Sequence, residues 1–332
     1  MQHAEVVHAA VDAPSRGAVL ALAASPDAAH DRTVFSATMA GLYRSQGGGT
    51  WERQEIVAED VPLLSLALSP AIAQGGVLLA GAVEGGVLRS ADSGMHWSLA
   101  NFGGRQPHCA TLILSPDFRN DGIAFAGTMR DGIFHSQDRG ASWQARNFGL
   151  LDLNVLALVV SPDFAQDDLL YAATPSGVFR SSNGARAWRE VASPAAAAVQ
   201  CLAYAAAADG TGTLFAGTDG AGVFRSDDRG ASWCPTGEVL AGACINALAL
   251  HSEGAHSRTL FALTDSALYL SRDAGDRWEQ CAEAAGALCL FVSPDFSTGG
   301  PIMIGLSEHG IARSTDLTLW QTAPVVEIAA TG

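Results

Sequence analysis

Short apolar runs alternate with polar turns along this chain, and the alternation repeats about every 45 residues over nearly the whole sequence. Each unit opens with an apolar run, such as residues 156–162, and a second apolar run follows after a turn. A third run is typically Gly-apolar-aromatic-Arg-Ser, and a tryptophan then opens a fourth, more polar run. Runs of four to eight residues bounded by Gly, Asp, Asn and Pro, without an extended helical period, predict short β-strands.

The tryptophans fix the number of units, because all of them occupy one position of the repeat. They are Trp51, Trp97, Trp143, Trp188, Trp233, Trp278 and Trp320, spaced 46, 46, 45, 45, 45 and 42 residues apart. Seven units of four antiparallel strands predict an all-β, seven-bladed β-propeller that occupies residues 1–332 as a single domain. Two segments compete for the outer strand of the last blade, residues 5–11 and residues 320–329.

The pattern S-x-D-x-G-x-x-W precedes the fourth run, as in residues 136–143, and it is predicted to form a tight turn between the third and fourth strands. In such a turn Asp138 can accept backbone N–H groups, Gly140 can adopt a positive φ, and Trp143 can bury its ring between neighbouring sheets. The residues assigned this structural role are Asp92, Asp138, Asp228, Asp273, Asp316, Trp97, Trp143, Trp233 and Trp278.

This motif resembles the Asp-box, or BNR repeat, of sialidases, two-propeller xyloglucanases, luminal sorting receptors and photosystem II assembly factors. The resemblance implies a propeller whose Asp-boxes lie on the face away from the active site, and it implies no particular function. Gly47, Asn183, Ala185 and Thr318 depart from the pattern. The sequence lacks the Arg-Ile-Pro signature expected of a sialidase, which argues against that activity. The assembly factors are similar in size and blade number, but they carry a basic patch.

Composition narrows the range of partners. The net charge is -15, and all 19 basic residues are arginine, which excludes a Schiff-base lysine and a phosphate-loop lysine. An acidic protein repels phosphate backbones and anionic lipids, so neither a nucleic acid nor a membrane is predicted as a partner. No export signal or membrane span is recognised, which predicts a cytoplasmic location. The six cysteines show no metal-binding spacing, so no metal site and no cofactor are predicted.

Chain direction places the loops between second and third strands on the face opposite the motif, together with the connections between blades. Carboxylates occupy these loops in five units, namely Glu84, Asp131, Asp219, Asp265 and Glu308. Nearby polar candidates are Arg130, His108, His309, Asn154 and Asn246. The carboxylates either form a ring that attracts a cation, an amine or an Arg-rich partner, or are ordinary residues of solvated turns.

Three functional hypotheses follow. The preferred one is a binding or scaffolding module that holds a protein or a small-molecule ligand at the mouth of the central channel, with Glu84, Arg130, Asp219, Asp265, Asn154 and Asn246 as the ligand-binding set. The alternative is an enzyme, such as a lyase, hydrolase or cyclising enzyme, that uses Asp131, His108, Glu308 and His309. The third is a structural protein whose rim pairs with itself.

Overall fold

Seven four-stranded antiparallel sheets form the computed structural model, and within each sheet the strands are ordered as they follow in the chain. The structure describes residues 17–25, 33–46, 51–56, 61–70, 76–206, 212–253, 257–308 and 310–323. This architecture confirms the all-β, seven-bladed propeller with four antiparallel strands per blade. Blades are numbered 1 to 7 in chain order, so that blade 1 contains strands β1 to β4 and blade 7 contains β25 to β28.

Burial changes from strand to strand within a blade. The first strands are β1 (Val19–Ala24), β5 (Leu63–Leu68), β9 (Cys109–Leu114), β13 (Ala157–Val160), β17 (Val199–Ala206), β21 (Ile245–Glu253) and β25 (Ala287–Val292). The second strands are β2 (Val34–Thr38), β6 (Leu78–Ala82), β10 (Ala124–Thr128), β14 (Leu169–Thr174), β18 (Gly212–Thr218), β22 (Ser257–Thr264) and β26 (Ile302–Leu306). The second strands are almost wholly buried, whereas the first strands combine buried and half-buried residues, as expected where one side borders the channel.

The outer half of each blade is shorter and more polar. The third strands are β3 (Gly41–Ser45), β7 (Val87–Ser90), β11 (Ile133–Ser136), β15 (Gly177–Ser182), β19 (Val223–Ser226), β23 (Ala267–Ser271) and β27 (Ile311–Ser314). The fourth strands are β4 (Trp51–Arg53), β8 (Ser98–Leu99), β12 (Gln144–Ala145), β16 (Arg189–Glu190), β20 (Cys234–Thr236), β24 (Glu279–Glu283) and β28 (Gln321–Ala323). The fourth strands are mostly exposed, as expected at the rim of a propeller.

Helical structure is limited to single turns in the described part of the chain. Two one-turn α-helices, α1 (Phe118–Asp121) and α2 (Phe164–Asp167), follow the first strands of blades 3 and 4. Two 3-10 turns span Glu238–Leu240 and Phe296–Thr298. None of the helices in this part is long and apolar enough to cross a lipid bilayer.

The ring closes between blade 7 and blade 1. Each first strand contacts the first strand of the next blade, and β25 contacts β1 in the same way. Across this closure the Cys289 thiol donates to the Val19 carbonyl at 3.5 Å. The outer strand of blade 7 is β28, whose Gln321 pairs with Arg313. The carboxyl-terminal alternative therefore supplies this strand, and residues 5–11 lie outside the described residues.

Small side chains form the inner wall where neighbouring blades meet. One position of each first strand pairs with the residue 16 positions later in the second strand of the same blade. The seven pairs are Ala21–Ala37, Ser65–Gly81, Thr111–Gly127, Ala157–Ala173, Cys201–Gly217, Ala247–Leu263 and Cys289–Gly305. At this position a glycine in the second strand is paired with Ser, Thr or Cys and an alanine is paired with Ala, so one member compensates for the volume of the other in six blades, whereas blade 6 pairs Ala247 with the larger Leu263.

The next blade explains why this wall must be thin. A Cβ added at Gly217 would lie 2.5 Å from Cys201 Sγ and 2.6 Å from Cγ2 of Ile245, the first residue of blade 6. At Gly305 the added Cβ would meet Cys289 and, at 2.6 Å, a methyl group of Val19. Each of these glycines thus leaves room for the following blade, and at Gly305 that blade is the one that closes the ring.

The S-x-D-x-G-x-x-W turn is built from side-chain hydrogen bonds to its own backbone. Ser136 Oγ accepts from the Gly140 N–H at 2.9 Å and donates to Asp138 Oδ1 at 2.8 Å. The same carboxylate accepts the Ser142 N–H at 2.8 Å and the Ser142 hydroxyl at 2.6 Å. Arg139 and Gly140 both have positive φ, 60° and 80°. Equivalent bonds join the corresponding serine and aspartate in blades 2, 5 and 6.

These turns hold their carboxylates in the charged form. In blade 5, donors from the Ser232 hydroxyl and backbone and from the Ser226 hydroxyl lower the pKa of Asp228 to about 2. Because the folded pKa lies below the unfolded value near 4, the stabilisation is complete above about pH 4 and is lost as the pH falls towards 2.

The tryptophan of each turn packs against the preceding blade. Trp143 lies parallel to Phe102 at a centroid distance of 5.5 Å, and its Nε1 donates to the Gly140 carbonyl at 3.0 Å. In blades 4 to 6 the indole nitrogen instead donates across the blade boundary, to Arg146 O, Ala192 O and Thr236 Oγ1. The ring therefore joins adjacent blades through apolar contact and, in three blades, through a hydrogen bond as well.

The inner-wall pairs predict a compensating double substitution. Gly217→Ala should lower the free energy of unfolding by about 1 to 3 kcal/mol because the new methyl group overpacks the wall. Adding Cys201→Ala should restore most of that loss, since blades 1 and 4 naturally carry Ala–Ala at this position. Urea unfolding of the parent, both single variants and the double variant measures the effect. A double variant no more stable than Gly217→Ala would refute volume compensation.

Tryptophan substitutions should rank by burial. Trp143→Ala should cost about 3 to 5 kcal/mol because it removes a large ring that is 4% exposed and stacked on Phe102. Trp233 is only partly buried, so Trp233→Ala should lower the free energy of unfolding less than Trp143→Ala does. Asp138→Ala should lower it by about 1 kcal/mol because the hydrogen bonds of the turn are lost. Equal losses of stability for the two tryptophan variants in urea melts would contradict this ranking.

Candidate functional site

One face of the ring carries both the loops between second and third strands and the connections between blades. The residue that follows a second strand donates its N–H to the carbonyl just before the first strand of the same blade. These bonds are Met39 to Ala18, Val83 to Pro62, Met129 to His108, Asp219 to Ala198 and Ser307 to Gly286, with lengths of 2.9 to 3.1 Å. The opposite face carries the S-x-D-x-G-x-x-W turns beside the first hairpins, as where Arg139 N–H donates to Gly122 O. We call the face that carries the loops between second and third strands the loop face.

Buried threonines hold the loops of this face in place, and the sequence reasoning assigned them no role. Thr38, Thr128, Thr174, Thr218 and Thr264 end the second strands of five blades. The hydroxyl of Thr128 donates to Gly132 O at 2.8 Å and accepts the Asp131 N–H at 3.0 Å. The available signal was the recurrence of Thr at the end of the second run in five units. The loops that carry Asp131, Asp219 and Asp265 are therefore fixed at their base by a threonine.

The predicted carboxylates all lie on the loop face. Glu84, Asp219, Asp265 and Glu308 are exposed, and the side chain of Asp131 is 40% exposed. Three of them follow one another in blades 5, 6 and 7, and we call Asp219, Asp265 and Glu308 the acidic arc. His309, the neighbour of Glu308, lies outside the described residues.

A cysteine contacts one carboxylate of the acidic arc. The exposed Cys244 thiol, in the connection from blade 5 to blade 6, donates to Asp219 Oδ1 at 3.2 Å. This hydrogen bond, together with the negative charges of Asp219 and Asp265, raises the pKa of the Cys244 thiol. The hydrogen bond joins the Asp219 loop to the connection between blades 5 and 6.

Blade 3 presents a different chemistry. Asp131 lies 3.9 Å from Arg105, which belongs to the preceding connection, and its backbone carbonyl accepts from Asn147 Nδ2 at 2.8 Å. Arg130 and His108 are exposed beside it. The ion-pair partner of Asp131 is thus Arg105.

The two predicted asparagines lie on the same face, Asn154 in the connection before β13 and Asn246 at the start of β21. Asn246 Nδ2 donates to the Ala287 carbonyl at 2.8 Å and so links blade 6 to blade 7. The Asn154 N–H donates to Asp152 Oδ1 at 2.9 Å, and the other oxygen of Asp152 accepts the Ser176 N–H at 3.2 Å. Both asparagines are exposed and both help to fix a connection.

A β-bulge near the start of the first strand places one additional residue per blade at the channel mouth. The register of the first two strands shifts in six of the described blades, and one residue drops out of the pairing. These residues, with Leu156 at the same place in blade 4, are Leu20, Leu64, Ala110, Leu156, Gln200, Asn246 and Leu288. All are partly or fully exposed, and five are apolar. We call this ring the collar, and Asn246 is its member in the ligand-binding set predicted from the sequence.

Several solved structures have a similar fold. The GH74 xyloglucanase from Xanthomonas campestris superposes with a TM-score of 0.68 at 18% identity, over 95% of this chain and 55% of that one. An ancestral GH74 enzyme gives 0.74 at 16% identity, over 93% and 46%. YCF48 bound to D1 peptide gives 0.65 at 18% identity, over 94% and 97%. The chain has the propeller fold of these proteins.

These neighbours confirm the resemblance to propellers of the xyloglucanase type at the level of fold. The chain spans about half the length of the two GH74 enzymes and nearly the full length of YCF48. No protein-family model matches the sequence, and no curated protein matches it. At such identities the likeness concerns the fold alone.

A metal-binding cluster or a cavity among the described residues could also provide a functional site. No group of three or more His, Cys, Asp or Glu side chains there is arranged to hold a metal ion. A cavity of about 520 Å³ lies away from the loop face, between the rim of blade 5 and the turn of blade 6. Its Arg225 is already paired with Asp227 at 2.9 Å and with Asp276 at 3.4 Å. The loop face therefore remains the candidate site.

The geometry around Cys244 predicts a change in thiol reactivity. Asp219→Asn should speed alkylation of Cys244 by iodoacetamide near pH 8, because a weaker hydrogen-bond acceptor without charge lowers the thiol pKa and raises the thiolate fraction. Mass spectrometry of the labelled peptides measures the rate, with the exposed Cys234 on the other face as internal reference. An unchanged ratio of Cys244 to Cys234 labelling would show that Asp219 does not control the thiol.

Proposed function

We propose that this chain is a protein-binding propeller that holds a basic, partly apolar segment of its partner at the channel mouth. One observation carries the proposal: a mainly apolar collar lies inside the loop face, and three successive blades beside it carry the acidic arc. An apolar side chain of the partner would rest on the collar, while Arg or Lys side chains would meet Asp219, Asp265 and Glu308. The ligand-binding residues proposed from the sequence on the acidic blades, Asp219, Asp265 and Asn246, all belong to this surface.

The charge of the chain supports a cationic partner. A net charge of -15 attracts cationic segments at long range, and an exposed carboxylate in each of three adjacent loops focuses that attraction near the channel. The exposed carboxylates contribute mainly to the association rate and to specificity. The apolar collar supplies contact area from which water is displaced.

The rigidity of the scaffold also supports recognition. Buried threonine hydroxyls fix the bases of the loops, and backbone bonds tie those loops to the connections between blades. A surface that is already ordered loses little conformational entropy when it binds a ligand.

The comparisons fit this proposal. YCF48, which matches the chain over nearly its whole length, was solved bound to a D1 peptide, so a propeller of this size accommodates a peptide. We further propose that the repeated turn is an Asp-box and that the face bearing it has a structural role. The enzymatic alternative has less support, because Asp131 is paired with Arg105 and the GH74 enzymes are about twice as long.

A selection experiment tests the proposal. A displayed library of random peptides is panned against the full chain, and the enriched peptides should carry Arg or Lys together with apolar residues. Replacing the acidic arc by Asp219→Asn, Asp265→Asn and Glu308→Gln should weaken such a peptide at least about tenfold at low ionic strength, because close charge pairs are lost. Fluorescence anisotropy of the labelled peptide measures Kd.

A matched control removes the same charge elsewhere. Glu52→Gln, Glu55→Gln and Glu190→Gln neutralise three exposed rim carboxylates and should change Kd less than about twofold. If both triple variants weakened binding equally, net charge alone would account for the effect, and the acidic arc would not be the binding site. Enrichment of acidic or purely polar peptides would overturn the proposal.

A further inference from the structure

The connection between blades 3 and 4 presents the two most exposed large apolar side chains of the described residues. Phe148 is 80% exposed and Leu151 is 77% exposed, and Leu153 in the same connection is 39% exposed. Leu153 O accepts the Gly132 N–H on the loop face, while Phe148 O accepts the Trp188 N–H near the rim. The segment thus crosses from the rim towards the channel, and we call Phe148, Leu151 and Leu153 the apolar ridge.

An identical tripeptide elsewhere in the chain shows that such a phenylalanine can be buried. Asn-Phe-Gly occurs in the connection after blade 2 and again in the connection after blade 3. In the first, Phe102 is 4% exposed, because it lies parallel to the tryptophan of the next blade and edge-on to Phe134 at 5.1 Å. In the second, Phe148 extends into solvent. The tripeptide Asn-Phe-Gly alone therefore does not determine whether its phenylalanine is exposed. The surrounding contacts of each connection do.

The difference originates at the asparagine before each phenylalanine. Asn101 Oδ1 accepts the Gly103 N–H within its own connection. Asn147 instead inserts its side chain into blade 3, where Oδ1 accepts the Ile133 N–H at 2.7 Å and Nδ2 donates to Asp131 O at 2.8 Å. This insertion fixes the start of the connection against its own blade and leaves Phe148 outside the stack of rings.

The ridge is rigid although its side chains are exposed. Leu150, between Phe148 and Leu151, is 7% exposed and packs into the core between blades 3 and 4. Gly149 has φ of +82°, and a Cβ there would lie 2.3 Å from Trp188 O, so only glycine permits this approach. Together with the bond from Ser176 to Asp152, these contacts hold the exposed side chains on an ordered backbone.

From these observations we infer that the apolar ridge is a docking surface for an aromatic or aliphatic cluster on a second protein. The inference deepens the proposed function, because the same partner would extend Arg or Lys side chains to the acidic arc on the same face. Charge complementarity selects this occupant, since a chain of net charge -15 repels a second copy of itself and attracts a basic protein. Aromatic side chains such as Phe148 are enriched in the buried centres of interfaces, where a few anchors carry most of the binding energy.

Two ridge substitutions test the inference with the peptides selected on the full chain. Phe148→Ser with Leu151→Ser should weaken peptides that contain both apolar and basic residues at least about tenfold, as expected when interface anchors are removed. The salt dependence of the remaining affinity should stay unchanged, because the acidic arc is intact. Circular dichroism and urea unfolding should match the parent, since both side chains are exposed in the folded chain.

The matched control uses exposed apolar residues on the opposite face. Met95 and Leu319, which are 66% and 75% exposed, lie in the S-x-D-x-G-x-x-W turns of blades 2 and 7. Met95→Ser with Leu319→Ser should change Kd less than about twofold. Equal losses in the two double variants would overturn the inference.

The outcomes separate this inference from the proposed function. If the selected peptides are basic and respond to the arc variant but not to the ridge variant, the proposed function stands and the ridge is not a docking surface. If the selected peptides show no basic preference, the proposed function fails. A parent that sediments as a dimer, with a monomeric ridge variant, would assign the ridge to a second copy of the chain and would overturn the inference.

Discussion

The close approach of neighbouring blades along the channel is the constraint on which the ring depends. Seven first strands must fit around one axis, and each blade must accept the first residue of the next against its inner wall. The wall is made of cross-strand pairs in which a glycine faces Ser, Thr or Cys, or in which Ala or Leu faces Ala. Because protein interiors are close-packed, a methyl group added at one of these glycines would collide with its pair partner and with the start of the next blade. The closure between Cys289, Gly305 and Val19 follows the same rule as the internal boundaries, and it uses a thiol-to-carbonyl hydrogen bond in addition.

The sequence was sufficient for the architecture because the information is repeated. A tryptophan every 45 or so residues and four apolar or polar runs between them determine strand number, blade number and chain direction. Chain direction in turn places Glu84, Asp131, Asp219, Asp265 and Glu308 on one face. The inner-wall pairs were also present at a constant separation of 16 residues, but their meaning depends on the distance to the next blade. That distance is a tertiary property, so compensation between Cys201 and Gly217 emerges only in the structure.

Details of the site depend on contacts that no local pattern encodes. The collar arises from bulges, and a bulge is a change of pairing register that leaves the sequence periodicity nearly unaltered. Phe102 and Phe148 share their flanking residues, yet one stacks on a tryptophan and the other is exposed, because Asn147 bonds to its own blade while Asn101 bonds within its connection. Likewise the partner of Asp131 is Arg105, which lies in the same connection as His108, three residues before it. Residue types on the loop face were therefore predictable, whereas their pairings were not.

The two faces differ in what their side chains are free to do. On the turn face, each aspartate is saturated by donors from its own turn, so its charge is committed to holding the backbone. On the loop face, buried threonine hydroxyls bond to the loop backbone in blades 1 and 3 to 6, and the carboxylates that follow them in blades 5 and 6 are exposed. Exposed charge accelerates encounter with a cationic partner, whereas apolar contact mainly slows dissociation. A loop face that combines an acidic arc, an apolar collar and an apolar ridge thus separates these two contributions in space, and a partner must match both to bind well.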